Sequence, residues 1–189
     1  QELMDLYTSI FALENNIDRF LIQSLKNLSD LQGLRFSFGD ENSTSGHLMP
    51  RHFLLEAGIN ADVYFDGAPM YSGSHDKTWL LVQGGGAQAG ALSEAVWEKA
   101  VEQGKVDSAK VRVFFTTPPY FDYNWTVTSG VDEKFGDGFT QKIQDALLDL
   151  SYAEHPEILD LFSTERFIAT ENANYLTIEQ VARDLGIIK

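Results

Sequence analysis

Residues able to do chemistry gather in FSFGDENSTSGHLMPRHFLLEAG, residues 36–58, where Ser43, Thr44 and Ser45 stand together before Gly46. Leu34, Phe36 and Phe38 alternate with Arg35 and Ser37, the period of a strand, and Leu48, Met49, Phe53 and Leu54 recur at helical spacing. Where a strand end passes into a helix start, backbone N–H groups lack intrahelical acceptors and the helix dipole favours negative charge. Hydroxyl side chains at that point add donors of their own, so the chemistry on offer is the capture of a tetrahedral oxyanion. The alternative is that Ser43 or Ser45 is an ordinary N-cap, the commonest task of a serine before a helix. Pro50 bears on both. In a helix begun at Ser45 it would lie just past the first turn, without a donor and crowding the preceding carbonyl. The helix is therefore expected to start later, after an irregular turn through Gly46. His47, His52, His75 and His155 show no metal-site spacing, and no metal or cofactor is assigned.

The elements that must position these groups read as follows. Tyr7 to Leu13 is strand-like, rich in aromatic and β-branched residues. Ser29 to Gly33 reads as a short helical turn ended by glycine. The helix through Arg51–Leu55 stops at Gly58, and Asp62–Phe65 is a short strand candidate. Ser74 caps a helix from His75 to Gln83, with Asp76 in its first turn and Gly84, Gly85 and Gly86 ending it. The small-residue run Ala87–Leu92 fits a buried strand. Ser93 starts a helix from Glu94 to Gln103 with Val96, Trp97, Ala100 and Val101 as its inner stripe, and Val111–Phe115 is a clear strand. Pro118 and Pro119 break the alternation before extended structure resumes at Asn124–Thr128. Beyond that the chain reads as helical, with Phe139, Ile143, Leu147 and Leu150 on one face and a capping box at Thr177 and Gln180. Alternating strands and helices imply an α/β layer sandwich with crossover connections over residues 14–115. Residues 1–13 and 116–189 would then be hinge strands and an incomplete second lobe.

Composition narrows the function classes. The chain has 189 residues, 43% hydrophobic and 12% aromatic, enough for a packed core. Fourteen basic against 28 acidic residues give a formal charge of −14, which argues against nucleic acid or anionic membrane as partner. An anion would be repelled at long range, so its capture must rest on local dipoles and oriented N–H donors. With no cysteine there is no disulfide framework or thiol chemistry. No apolar run approaches membrane-spanning length and no signal-peptide pattern is read. The first residue is Gln1, from which removal of an upstream segment is expected.

In order along the chain, FGDENSTSGHLMP, YSGSHDKTWLLV, AGALSEAVWEKAVEQGKVD, VRVFFTTPPYFDYNW and the terminal ERFIATENANYLTIEQVARDLGIIK resemble the phosphonate/phosphite/phosphate-binding proteins of ABC uptake systems. The resemblance covers nearly all of residues 7–189. It implies a type 2 periplasmic binding protein, a two-lobed clamshell closing on phosphonate, phosphite, phosphate or selenate and delivering it to an ABC permease in the periplasm. It places Ser43, Thr44 and Ser45 on the anion oxygens, His75 near the same oxygens, and Glu94 and Asp122 where aminophosphonate binders face the ligand amine. It puts Tyr7 on the first hinge strand. Relative to that family an N-terminal part of lobe 1 is missing, which implies either a fragment or completion by a second copy in a homodimer.

Without the resemblance, His75 reads as a surface histidine, Glu94 as a helix-dipole partner and Asp122 as a hinge or turn residue. The leading expectation is a non-enzymatic solute-binding protein. A self-associating module built on exposed apolar helix faces is the second expectation. A phosphate-ester enzyme is the third, and no phosphate-loop lysine or recognisable Ser–His–Asp motif supports it.

Overall fold

Five strands form one sheet: β1 (Thr8–Leu13), β2 (Phe36–Phe38), β3 (Met70–Tyr71), β4 (Ala89–Ser93) and β5 (Val111–Thr116), in the spatial order β3-β2-β4-β1-β5. The computed structural model describes residues 8–13, 25–121, 124–162 and 164–189, with the backbone alone for 8–13. Tyr7, Asp122 and the polar stretch from Glu14 lie outside the described residues. The chain divides into two compact units, one within Leu6–Tyr120 joined by Leu176–Lys189, the other containing Phe121–Tyr175.

β2 runs parallel to both of its neighbours, pairing Ser37 with Met70 on one side and Phe36 with Ala89 on the other. The crossover connections expected from the alternation are present here. β1 is antiparallel to β4 and β5, with Thr8 opposite Ser93 and a register shift between Ile10 and Phe11 against β5. A segment read as entering from outside the α/β unit is thus an inner strand of its sheet. Nothing local in YTSIFAL announces that pairing, because its partners lie some eighty or more residues away.

Helices cover both sheet faces. Alternate side chains of β4 go to opposite layers: Ala89 and Ala91 join Phe36, Phe38, Leu54, Ile59 and Phe65, while Leu92 joins Trp79, Val82, Ala100 and Val111. The first layer is closed by α1 (Met49–Glu56), α2 (Ala61–Tyr64) and the 3-10 turn Leu28–Leu31, the second by α3 (His75–Gln83) and α4 (Glu94–Glu102). β4 is built from small residues because both layers press on it. A Cβ on Gly90 would stand 2.8 Å from Thr78 Cγ2 and 2.9 Å from the Ser37 carbonyl oxygen. Asp62–Phe65 is not a strand: Asn60 Oδ1 accepts the Asp62 N–H at 3.0 Å and caps α2 there.

The smaller unit carries α5 (Val131–Phe135), α6 (Phe139–Leu148) and α7 (Pro156–Leu161). The Asp132 carboxylate accepts the Thr140 N–H at 2.7 Å, serving the first turn of α6 in place of a local cap and lowering its own pKa through that bond and its neighbours. Leu159 is fully buried, while Phe139, Ile143, Leu147 and Leu150 are only partly covered. Asn124–Thr128 forms no strand. α8 (Leu176–Asp184) then returns to the larger unit and packs on α1 and on the Thr44–Leu48 turn, burying Val181 and Ala182. It runs directly out of a 3-10 turn, Asn172–Tyr175, so Thr177 lies inside the helix and the expected capping box does not form there.

Phe36 anchors the first layer. It is 1% exposed, stacks on Phe65 with ring centroids 4.5 Å apart, and meets Phe38 edge-on at 5.0 Å. Phe36→Ala should cost about 3–5 kcal/mol of unfolding free energy in urea titration, the usual range for emptying such a site. A loss below about 1 kcal/mol would contradict this packing.

Candidate oxyanion site

Three of the sequence-derived site segments meet because each follows the carboxyl end of a parallel strand. The Ser43–Gly46 turn follows β2, the Ser72–His75 bend follows β3, and Ser93–Glu94 follows β4. β3 and β4 flank β2 on opposite sides, so the chain reverses its direction of travel across the sheet at β2. A reversal of this kind opens a crevice beyond the strand ends, the usual place for a ligand in such sheets. Backbone bonds tie the segments together: Ser72 N–H to the Phe38 carbonyl at 3.0 Å, and Gly73 N–H to the Gly39 carbonyl at 3.1 Å.

Between β2 and α1 the chain makes the irregular turn that Pro50 demanded, a wide π-type turn over Thr44–Leu48. The Ser43 carbonyl accepts both the His47 and Leu48 N–H groups, each at 3.0 Å. In an α-helix the Gly46 carbonyl would accept from residue 50, but proline has no N–H to give. Gly39 N–H takes that acceptor instead, at 2.8 Å, and the loop closes on itself. Both glycines sit in tight surroundings. A Cβ on Gly39 would lie 3.2 Å from Gly46 Cα, and one on Gly46 would lie 2.9 Å from Ser43 Oγ and 3.1 Å from His75 Cε1.

Ser43 fills the capping role that the sequence left open: its Oγ accepts the Gly46 N–H at 3.0 Å. That bond uses a lone pair and leaves the hydroxyl proton to donate elsewhere. The N–H of Thr44 meets no protein acceptor among the described residues. Ser45 is 2% exposed, and its Oγ lies 3.4 Å from His75 Nε2. His75 opens α3 behind Ser74, whose Oγ accepts the Lys77 N–H at 3.3 Å as the sequence led us to expect.

The tautomer of His75 follows from its other nitrogen. Ser93 N–H donates to Nδ1 at 3.2 Å, so the single proton of the neutral ring sits on Nε2 and is given to Ser45 Oγ. Burial pushes the His75 pKa below its ordinary value, with Asp76 opposing, so the ring stays neutral. Next along the chain, Glu94 begins α4, where its charge suits the helix dipole, and accepts from Thr116 Oγ1 at 3.5 Å. The structure thus joins Ser45, His75 and Ser93 by hydrogen bonds, with Ser43 and Thr44 beside Ser45 in the same turn. Glu94 is adjacent in sequence. Asp122 and Tyr7 fall outside the described residues.

One group behind the turn escaped the sequence reading, where His47 was considered only as a metal ligand. It is 5% exposed, and its Nδ1 lies 2.6 Å from the Glu41 carbonyl. Its Nε2 receives Arg51 Nε–H at 3.0 Å and the Tyr71 hydroxyl at 3.1 Å, and Arg51 pairs with Asp62 at 2.8 Å. The i, i+4 spacing of His47 and Arg51 was a visible signal. Tyr71 belongs to a two-residue strand that no local pattern marks.

The family model described as ABC transporter, phosphonate, periplasmic substrate-binding protein matches residues 17–175. Over 185 residues the chain is 38% identical to the probable ABC transporter phosphite binding protein PhnD1 of Prochlorococcus marinus (strain MIT 9301), covering 97% of this chain and 62% of that one. The chain therefore spans about three fifths of the length of that relative. The structure of PhnD1 from the same organism in complex with methylphosphonate aligns with a TM-score of 0.82 at 37% identity, over 97% of this chain and 68% of that one. A binding protein component of an ABC phosphonate transporter from Pseudomonas aeruginosa shares the fold, with a TM-score of 0.64 at 18% identity over 95% and 57% of the two chains. With the mixed α/β fold of type 2 periplasmic binding proteins, this chain belongs to the family of phosphonate ABC-transporter periplasmic substrate-binding proteins.

Proposed function

We propose that this chain is the oxyanion-holding part of a solute-binding protein that serves an ABC permease in the periplasm, taking a phosphite- or phosphonate-like anion. The observation that carries the reading is the Ser43–Gly46 turn, linked through Ser45 to His75 and Ser93 at three neighbouring strand ends. Its donors are hydroxyl and amide groups without net charge, which suits a chain of formal charge −14. Bonds from such donors to an anion are charge-assisted, and closure of a second lobe would strengthen them by excluding water. The probable phosphite binding protein PhnD1 and its methylphosphonate complex support the choice of anion class. In this reading Thr44 contributes its N–H and hydroxyl. Glu94 and Asp122 serve a cationic substituent when the ligand carries one, and Tyr7 lines the opening from the hinge side.

The role is binding rather than catalysis. Ser45 and His75 lie at a distance that suggests a nucleophile and its base. Yet a general base must present an unprotonated nitrogen to the hydroxyl, and Ser93 N–H occupies the lone pair on Nδ1 while Nε2 carries the proton. His75 can only donate to Ser45.

Two expectations follow. Replacing Ser43 and Ser45 together by Ala should weaken methylphosphonate or phosphite binding about tenfold or more in calorimetry, since each bond to a charged group is worth roughly 1.5–3 kcal/mol. Unchanged affinity would remove these residues from the site. For His75, long-range 1H–15N spectra should show the Nε2–H tautomer, and the ring should stay mostly neutral at about pH 6.5, where an unperturbed histidine is half protonated. An Nδ1–H tautomer would restore the nucleophile–base reading.

A further inference from the structure

We propose that His47 is the positioning residue of the oxyanion turn, holding it by an Nδ1–H bond to the Glu41 carbonyl while Arg51 and Tyr71 fix the ring from its other nitrogen. The inference rests on the reading of Ser43–Gly46 as the anion cradle and concerns how that cradle is held open.

A carbonyl oxygen has no proton, so in the 2.6 Å contact between His47 Nδ1 and Glu41 O the ring must donate. Nε2 is then an acceptor, and it is served twice, by Arg51 Nε–H at 3.0 Å and by the Tyr71 hydroxyl at 3.1 Å. Arg51 is itself fixed, with Nη1 on Asp62 at 2.8 Å and Nη2 on Tyr71 Oη at 3.2 Å. The imidazole is also gripped by its faces and edges: Phe38 lies with its centroid 4.9 Å away, and Tyr71 meets it edge-on at the same distance. A ring with both nitrogens bonded and aromatic contacts of this kind has one orientation and one tautomer.

The geometry matters because, among the described residues, the outer arm of the turn has little else to hold it. Asp40, Glu41 and Asn42 are exposed, and the other bonds there are local, from Ser43 N–H to the Asp40 carbonyl at 3.1 Å and from Asn42 N–H to Asp40 Oδ1 at 2.9 Å. The His47 bond reaches from the buried side of the turn across to Glu41, two residues before the Ser43 cap. It thereby links the start of the cradle to α1 and, through Asp62, to α2. His47 does not touch the proposed ligand. It acts through the backbone.

Two substitutions separate the halves of the ring. His47→Asn keeps an N–H near the Nδ1 position and loses the Nε2 acceptor, whereas His47→Gln keeps a polar group near Nε2 and loses the Nδ1 donor. In the 189-residue chain, His47→Gln and His47→Ala should weaken methylphosphonate binding about tenfold or more, with His47→Asn within about threefold of wild type, the spread expected for one buried hydrogen bond. Without ligand, amide hydrogen exchange at Ser43 and Gly46 should be faster in the Gln variant than in the Asn variant. A merely structural histidine would lower stability in all three variants without this ordering. Asn and Gln variants that behave alike in binding and in exchange would overturn the proposal. If Ser45→Ala loses binding while the His47 variants all retain it, the cradle stands and the positioning role fails. If the wild-type chain takes up none of methylphosphonate, phosphite or phosphate, the proposed function fails, and the exchange comparison still decides whether His47 holds the turn.

Discussion

A single backbone bond, from Gly39 N–H to the Gly46 carbonyl at 2.8 Å, closes the loop on which the site depends. It exists because Pro50 cannot supply the donor that an α-helix would have placed there. The same bond brings the Gly46 backbone against Gly39, while the Ser43 and His75 side chains crowd Gly46. Once closed, the turn opens into a wide π-type arc in which the Ser43 carbonyl serves two N–H groups and the Ser43 hydroxyl serves a third. The proline, the glycine pair and the serine are thus one device, and its product is a set of polar groups presented beyond the end of β2.

What surrounds that device bears on how an acidic chain would hold an anion in the proposed role. The formal charge is −14, and Arg51, which donates to His47 of the turn, is paired with Asp62. Both histidines beside the turn are held below their ordinary pKa by burial, in opposite tautomers, Nε2–H for His75 and Nδ1–H for His47. Donors of this kind act over bonding distance and not at long range. In the proposed role, recognition would then depend on the geometry of the anion more than on its net charge, with little electrostatic steering to speed its arrival.

Much of this was legible in the sequence where the signal is local. The cap at Ser74, the span of α3, the start of α4 after Ser93 and the irregular turn before α1 all follow from residues within one turn of the feature they set. Ser43 carried two readings, cap and anion donor, and its lone pairs and proton can serve both. Long-range features were not legible. β1 pairs with partners at 89–93 and 111–116, β3 is two residues long, and the segment at Asp62 is decided by the Asn60 cap rather than by its strand-like residues. α8 has the most amphipathic pattern of the C-terminal stretch, but a pattern does not say which surface it will cover. Here it is the back of the Thr44–Leu48 turn. His47 was hidden for a related reason. Its partners at 41, 51 and 71 come from three elements, and only the one at i+4 can be seen along the chain.

The most direct test of the proposed anion-holding role of the Ser43–Gly46 turn, linked through His75 to Ser93, is a 1H–15N titration of the chain with methylphosphonate. Saturable shifts should be largest at the amides of Thr44, Ser45, Gly46 and Ser93, which lie on two different strand ends joined through His75. Shifts that fail to saturate, or that are largest elsewhere in the chain, would contradict it.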